Sequence, residues 1–238
     1  MANKYYDILR APHQVAFDIT NNCNLRCLHC FNSSGENDVI SNELSDGDVL
    51  HFIEDLASMN LYNVCFCGGE TLLRKELMCE CIKILKPSGS HCTAVTNGLL
   101  ANPATIQQLA SAGLDGIQFS LDGLRDSHER LRNKVGIFPK VIDAMKYVLN
   151  ETGLRLSIAF TPTSFNVKDF LGVYDLLVDL YEKSNRTTGS DYIDFRLQPL
   201  MLLGRAKDNP NIVPTDAQYM ARPEHKRSKP YGKMSPLH

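Results

Sequence analysis

The feature that most constrains this chain is a repeat, from about residue 14 onward, of a short β-rich run, a polar or glycine-containing break and a longer helical run. "QVAFDIT" (14–20), "LYNVCFC" (61–67), "CTAVTN" (92–97), "DGIQFSLD" (115–122), "LRLSIAFTP" (154–162) and "DYIDFRLQPL" (191–200) carry the β-branched and aromatic residues of strands. Residues 41–60 hold a helix, with Ser45 and Asp46 as capping residues and Val49, Leu50, Ile53 and Leu56 on one face. Residues 74–86 read as a helix stopped by Pro87, and 103–113 as one opened by Pro103 and closed at Gly113. Helices over 138–153 and 168–184 bring the total to five helices between six strands. Such alternation implies a parallel sheet with right-handed crossovers. Strands this apolar fit a sheet covered on both faces. Periodicity leaves two architectures open, a doubly wound open sheet and a barrel of six β/α units.

The breaks are more informative than the elements. "NNCNLRCLHC" follows the first strand and "GGET" the second; "TNG" closes the third and "SLDG" the fourth. "TPTSFN" follows the fifth strand and "RLQPL" closes the sixth. In parallel α/β folds the site forms outside the C-terminal strand ends. All six motifs are therefore expected on one face.

The chain has 238 residues, 43% hydrophobic and 22% charged, with a net charge of −2. These are the proportions of an ordinary globular protein. The charge gives no reason to expect nucleic acid or an anionic membrane as partner. No apolar run is long enough to span a bilayer, and "MANKYYDILRAPHQ" lacks the apolar stretch of a signal peptide. A cytoplasmic protein is expected.

All eight cysteines lie within the first 92 residues. Clustered cysteines in a reducing compartment read as metal ligands or core residues rather than staples. Cys23, Cys27 and Cys30 are spaced C-x3-C-x2-C. A structural zinc site takes four ligands, and His29 adjoins Cys30 too closely for both to reach one ion with ease. A four-iron cluster held by three thiolates instead keeps one iron open to a ligand. Cys65 and Cys67 share one side of a strand and read as core residues, with Cys67 next to the glycines. Cys79 and Cys81 do not share a helix face, and Cys92 reads as structural.

On the C-x3-C-x2-C motif the sequence resembles the radical S-adenosylmethionine superfamily. That resemblance implies a partial (β/α)6, TIM-like barrel. It also implies a [4Fe–4S] cluster on Cys23, Cys27 and Cys30, with S-adenosyl-L-methionine chelating the fourth iron. Reductive cleavage then gives a 5′-deoxyadenosyl radical that takes hydrogen from a substrate.

Other motifs support the resemblance residue by residue. "CGGE" looks like the family's glycine–glycine–glutamate motif, with Gly68 and Gly69 approaching the ligand and Glu70 accepting from its ammonium. Thr71 stands where the family often has proline. Thr96 and Asn97 of "TNG" also match, and "SLDG" looks like the ribose site, with Ser120 and Asp122 on the sugar hydroxyls. "HERLR" contributes His128 and Arg132, the latter toward the cofactor carboxylate. His29 reads as a packing residue that shields the cluster. Arg196 and Gln198 read as lumen residues facing substrate or as a structural ion pair, and Asn166 as a site residue after strand five. No catalytic acid, base or nucleophile is assigned.

"CLHCFNSSG" and "LGRA" (203–206) look most like maturases of ribosomally made peptides, of the mycofactocin and pyrroloquinoline-quinone type. Haem-pathway and sulfatase-maturing members share much of the pattern. The resemblance implies a peptide substrate, a separate peptide-recognition protein, and an electron donor such as flavodoxin or ferredoxin. The expected organisation is a barrel over residues 12–221 and a disordered basic tail over 222–238. The cysteine-rich SPASM or twitch domain of such maturases is expected to be absent.

Overall fold

The computed structural model describes residues 12–36, 42–186 and 193–220. Six strands, β1 (Gln14–Asp18), β2 (Asn63–Cys67), β3 (His91–Thr96), β4 (Gly116–Ser120), β5 (Arg155–Phe160) and β6 (Asp194–Leu197), form one sheet. Every neighbouring pair is parallel, and the spatial order follows the chain, β1-β2-β3-β4-β5-β6. A doubly wound sheet reverses its strand order at a switch point; this sheet never does. Among the described residues β1 and β6 do not pair, so the sheet is a barrel left open on one side.

The helices are α1 (Asp46–Ser58), α2 (Lys75–Leu85), α3 (Pro103–Ala112), α4 (Arg125–Arg132), α5 (Ile137–Glu151), α6 (Phe170–Glu182) and α7 (Asp216–Met220). Their ends follow local chemistry. The Ser45 side chain accepts from the Asp48 amide at the start of α1. The Asn102 side chain caps α3, Pro103 is its first residue, and Gly113 ends it at φ +101°.

Strand register sorts side chains into two layers. One row runs Phe17, Phe66, Ala94, Ile117, Leu156. Its last four members are buried with Ile53, Met78, Ile82 and Val148 of the helices. Full burial of each large side chain contributes roughly 1.5–3 kcal/mol. The opposite row runs through Asp18 and Cys67, and through Val95, Gln118 and Ser157. This row is mixed in polarity and faces the lumen.

Two elements differ from the sequence expectation. The sequence pattern does not mark α4 as a helix, because five of the eight residues of "RDSHERLR" are charged. It folds because Ser127, His128, Leu131 and Arg132 are buried on one side and Asn133 closes it at φ +51°. β6 is four residues long rather than ten. It is an edge strand, and although the Gln198 amide still donates to the Phe160 carbonyl at 2.9 Å, Pro199 has no N–H to continue the ladder. The tail at 222–238 lies outside the described residues. Among the described residues no helix is long and apolar enough to cross a membrane.

Candidate functional site

The strand C-termini open onto a cavity of about 300 Å³, enough for a small organic ligand. Its lining includes Cys23, Cys27 and Cys30, together with Gly68, Gly69, Thr96, Asn97, Ser120 and Arg132. Nine residues expected from motifs in five separate stretches thus meet on one face.

The cysteine loop has no regular secondary structure of its own and is held by hydrogen bonds from outside. The Glu43 carboxylate accepts from the Thr20 hydroxyl (2.7 Å) and from the amides of Asn21 and Asn22 (2.6 and 3.0 Å). The Arg26 guanidinium donates to the carbonyls of Cys23 (2.8 Å), Leu25 (2.9 Å) and Gly35. Arg205 reaches in from beyond β6, donating to the Cys27 and Ser34 carbonyls (both 3.2 Å) and to Glu36 (2.5 Å). The Ala206 amide donates to the Cys30 carbonyl at 3.2 Å.

The two glycines have a sharper role than the sequence suggested. The Gly69 and Glu70 amides donate to the Thr20 and Asn22 carbonyls at 2.7 and 2.9 Å. A Cβ on Gly68 would stand 2.2 Å from the Thr20 oxygen, and one on Gly69 2.2 Å from the Asn22 oxygen. Much of what they approach closely is the backbone that leads into the cysteines. The Thr71 hydroxyl donates to the Val95 carbonyl, a bond that proline could not make.

Two of the expected site residues stand outside the cavity lining. Glu70 is buried outside the cavity lining. Its oxygens accept from the Leu72 amide (3.1 Å), the Thr96 hydroxyl (2.7 Å) and the Asn97 amide (2.8 Å). Burial raises its carboxyl pKa against the pull of these donors. Glu70 therefore fixes the end of β3, while Thr96 and Asn97 form the wall. Asp122, expected on a sugar, is 0% exposed and likewise outside the lining. It accepts from the Thr161 amide at 2.9 Å and pairs with Arg132 and with His29 Nε2 (3.3 Å). Burial alone would raise its pKa; Arg132 and His29 outweigh burial and hold it well below the usual range.

This ion cluster joins His29 to Asp122 and Arg132, which lie far from it in the sequence. His29 is part of it rather than mere packing. His128 Nδ1 accepts from the Asp122 amide at 3.1 Å, so the ring carries its proton on Nε2. Burial, with Arg132 nearby, pushes His128 down to about 3. Arg132 also places Nη1 3.8 Å from Cys27 Sγ, which joins the cluster to the cysteine loop. Asn166 is a tie between strand ends, donating to the Asp122 and Thr161 carbonyls (3.0 and 2.9 Å). Arg196 pairs with Asp194 at 2.5 Å, the structural alternative, whereas Gln198 lines the cavity.

The donor set fits a cluster better than a single ion. Cys23, Cys27 and Cys30 are free thiols lining one cavity, and no three His, Cys, Asp or Glu among the described residues are gathered closely enough for one metal ion. A cubane reaches thiolates spread more widely than one zinc does. Burial raises Cys27 to about 11, against the lowering effect of Arg132, so a cationic group must bind for its thiolate to persist. The rest of the lining, Asn97, Gln118, Ser120, Thr161 and Asp18, supplies hydroxyl, amide and carboxyl partners for a polar molecule.

Known proteins resemble this chain over much of its length. The family model described as "Radical SAM superfamily" matches residues 17–177. The chain is 31% identical over 163 residues to an Fe-coproporphyrin III synthase of Methanosarcina barkeri, covering 68% of this chain and 40% of that protein. It is 29% identical over 217 residues to the mycofactocin maturase MftC of Mycobacterium ulcerans, covering 90% of this chain and 54% of that one. The chain thus spans about half the length of the curated relatives it matches. Among solved structures, Streptococcus suis SuiB bound to its precursor peptide SuiA superposes with a TM-score of 0.62 at 20% identity, over 80% of this chain and 40% of that one. This last likeness is one of fold.

Proposed function

The chain belongs to the radical S-adenosylmethionine superfamily, and from that premise we propose that its barrel, residues 12–221, binds a [4Fe–4S] cluster and S-adenosyl-L-methionine to modify a ribosomally made peptide. The observation that carries this reading is that Cys23, Cys27 and Cys30 line one cavity together with polar groups from the other strand ends. When bound, cluster and cofactor supply reductive cleavage to a 5′-deoxyadenosyl radical.

The chain's own residues bind and orient. Cys23, Cys27 and Cys30 hold the cluster as thiolates, and Arg132 offsets their charge from beside Cys27. The backbone at Gly68 and Gly69, and the side chains of Thr96 and Asn97, receive the methionine end. Ser120 serves the ribose. Glu70 and Asp122 act from behind the wall, holding Asn97 and Arg132 in position.

The peptide reading is supported by the mycofactocin maturase match, which spans 90% of the chain. Exposed apolar side chains, Phe31, Leu197, Met201 and Leu202, stand on or beside segments that line the cavity and give a peptide something to rest on. A separate recognition protein would present the peptide. A flavodoxin or ferredoxin would deliver the electron, in a reducing, cytoplasmic setting. A haem-pathway substrate is the second reading, favoured by the 31% identity to the Fe-coproporphyrin III synthase.

The test is anaerobic. The reconstituted protein is mixed with dithionite and S-adenosyl-L-methionine, and 5′-deoxyadenosine is measured. Its formation together with methionine is the expected result; an intact cofactor beside a loaded, reduced cluster would sink the reading. Precursor peptides and porphyrins tested as accelerators of cleavage then decide between the two substrate classes.

A further inference from the structure

A second sulfur pair lies on the lumen face of β2, outside the cysteine loop. Cys65 and Cys67 alternate along β2 with the buried Val64 and Phe66, and their Sγ atoms are 3.5 Å apart. Cys67 lines the cavity one residue before Gly68. Residues i and i+2 of a strand lie about 6.6 Å apart at Cα, near the upper limit of about 6.8 Å that a disulfide spans. The sulfurs already touch, but side chains two apart on a strand keep their Cβ atoms about as far apart as their Cα atoms, beyond the about 4.5 Å of a disulfide, so closing needs the strand to pucker locally and leaves a stretched, strained bridge.

Their surroundings separate the two roles of thiol exchange. The two sulfurs share one hydrogen bond that either can donate; with Cys67 as donor, that bond and the Thr93 hydroxyl push Cys65 down to about 6, toward the thiolate. The same bond and burial hold Cys67 as a thiol. The thiolate is the attacking form. Cys81 and Cys92 differ: both are fully buried, and burial raises each to about 12.

We propose that Cys65 and Cys67 form a redox-active dithiol in the barrel lumen, closed to a disulfide by a low-molecular-weight disulfide such as oxidised glutathione. The Cys65 thiolate attacks one sulfur of the small disulfide, breaking its S–S bond and expelling one thiolate. Cys67 then loses its proton and attacks the Cys65 sulfur of the mixed disulfide, expelling the second thiol. The protein pair gives up two electrons and two protons, and the small disulfide leaves as two thiols. A stretched bridge of this kind reopens readily, so the pair acts as a reversible switch on the wall that leads into Gly68. The step needs neither cluster nor cofactor and stands apart from the radical reading.

The test uses the full, metal-free chain. It is incubated anaerobically in glutathione buffers of rising oxidised fraction, alkylated, and cleaved after glutamate. The peptide 55–70 then carries Cys65 and Cys67 and no other cysteine. The expected product is this peptide unalkylated and lighter by two hydrogens, returning to the doubly alkylated form in excess reduced glutathione. In Cys67→Ser, Cys65 should take up glutathione at least about tenfold faster than Cys67 does in Cys65→Ser. A wild-type peptide that stays doubly alkylated, or that stops at a mixed disulfide, overturns the proposal; equal rates in the two variants remove Cys65 as the attacking thiol.

Discussion

The cysteine loop and the ion cluster behind it are neighbours held by opposite means. The loop is a string of backbone carbonyls and amides, tied by donors and acceptors at Glu43, Arg26, Gly69 and Arg205. The cluster of Asp122, Arg132, His29 and His128 is nearly solvent-free and held by charge. A loop with many modest bonds loses them singly. A buried ion pair cannot lose one partner without stranding the other. The two regions meet where Arg132 stands beside Cys27, so the rigid region positions the adaptable one.

The largest effect should come from the cluster. Arg132→Met leaves the buried Asp122 with only His29 and one amide beside it, and should cost about 3–5 kcal/mol in urea unfolding of the metal-free chain. A cost below about 1 kcal/mol would mean that water reaches the carboxylate and that the contrast is false. Next is Gly69→Ala, whose Cβ would press on the Asn22 carbonyl. It should cost about 1–3 kcal/mol and speed amide hydrogen exchange in residues 20–30. Unchanged exchange would show that the glycines serve only the ligand.

Arg205→Ala loosens the loop from its far side. The expectation is a loss of about 1–2 kcal/mol and faster exchange at the Cys30–Ala206 contact, with the ion cluster undisturbed. The smallest effect is a pH dependence. His128 is held neutral when folded, with its pKa lowered from 6.5 to about 3. The unfolded chain therefore takes up a proton there first as pH falls. Its contribution to stability is complete above pH 6.5 and declines below it. Between pH 7 and 6 the loss is about 0.7 kcal/mol, steepening to about 1.4 kcal/mol per pH unit lower down. His128→Asn, whose side-chain oxygen can still accept from the Asp122 amide, should flatten that limb of the curve.

How legible each region was follows from how it is made. The strands and the order of their terminal motifs could be read because period, punctuation and position along the chain are local properties. The three cysteines could be read because their spacing is itself the chemistry. The ion cluster could not, because His29, Asp122 and Arg132 meet only when β1, β4 and α4 are in place. Nor could the Arg205 tie, whose partner Cys27 lies 178 positions away. Glu70 and Asp122 read as site residues on their motifs, and in the structure they stand outside the cavity lining, Glu70 held by three protein donors and Asp122 by ion pairs and one amide. α4 was hidden because its buried face is built from Ser127, His128 and Arg132 as much as from Leu131.

The central claim is that Cys23, Cys27 and Cys30 together hold one iron–sulfur cluster. The most direct measurement is iron and acid-labile sulfide in the wild-type chain and in Cys27→Ala, both reconstituted anaerobically, with urea stability of the metal-free forms as the control for folding. The account predicts about four irons and four sulfides in the wild type and loss of the cluster in a variant that still folds. A folded Cys27→Ala chain that keeps its full iron and sulfide would contradict it.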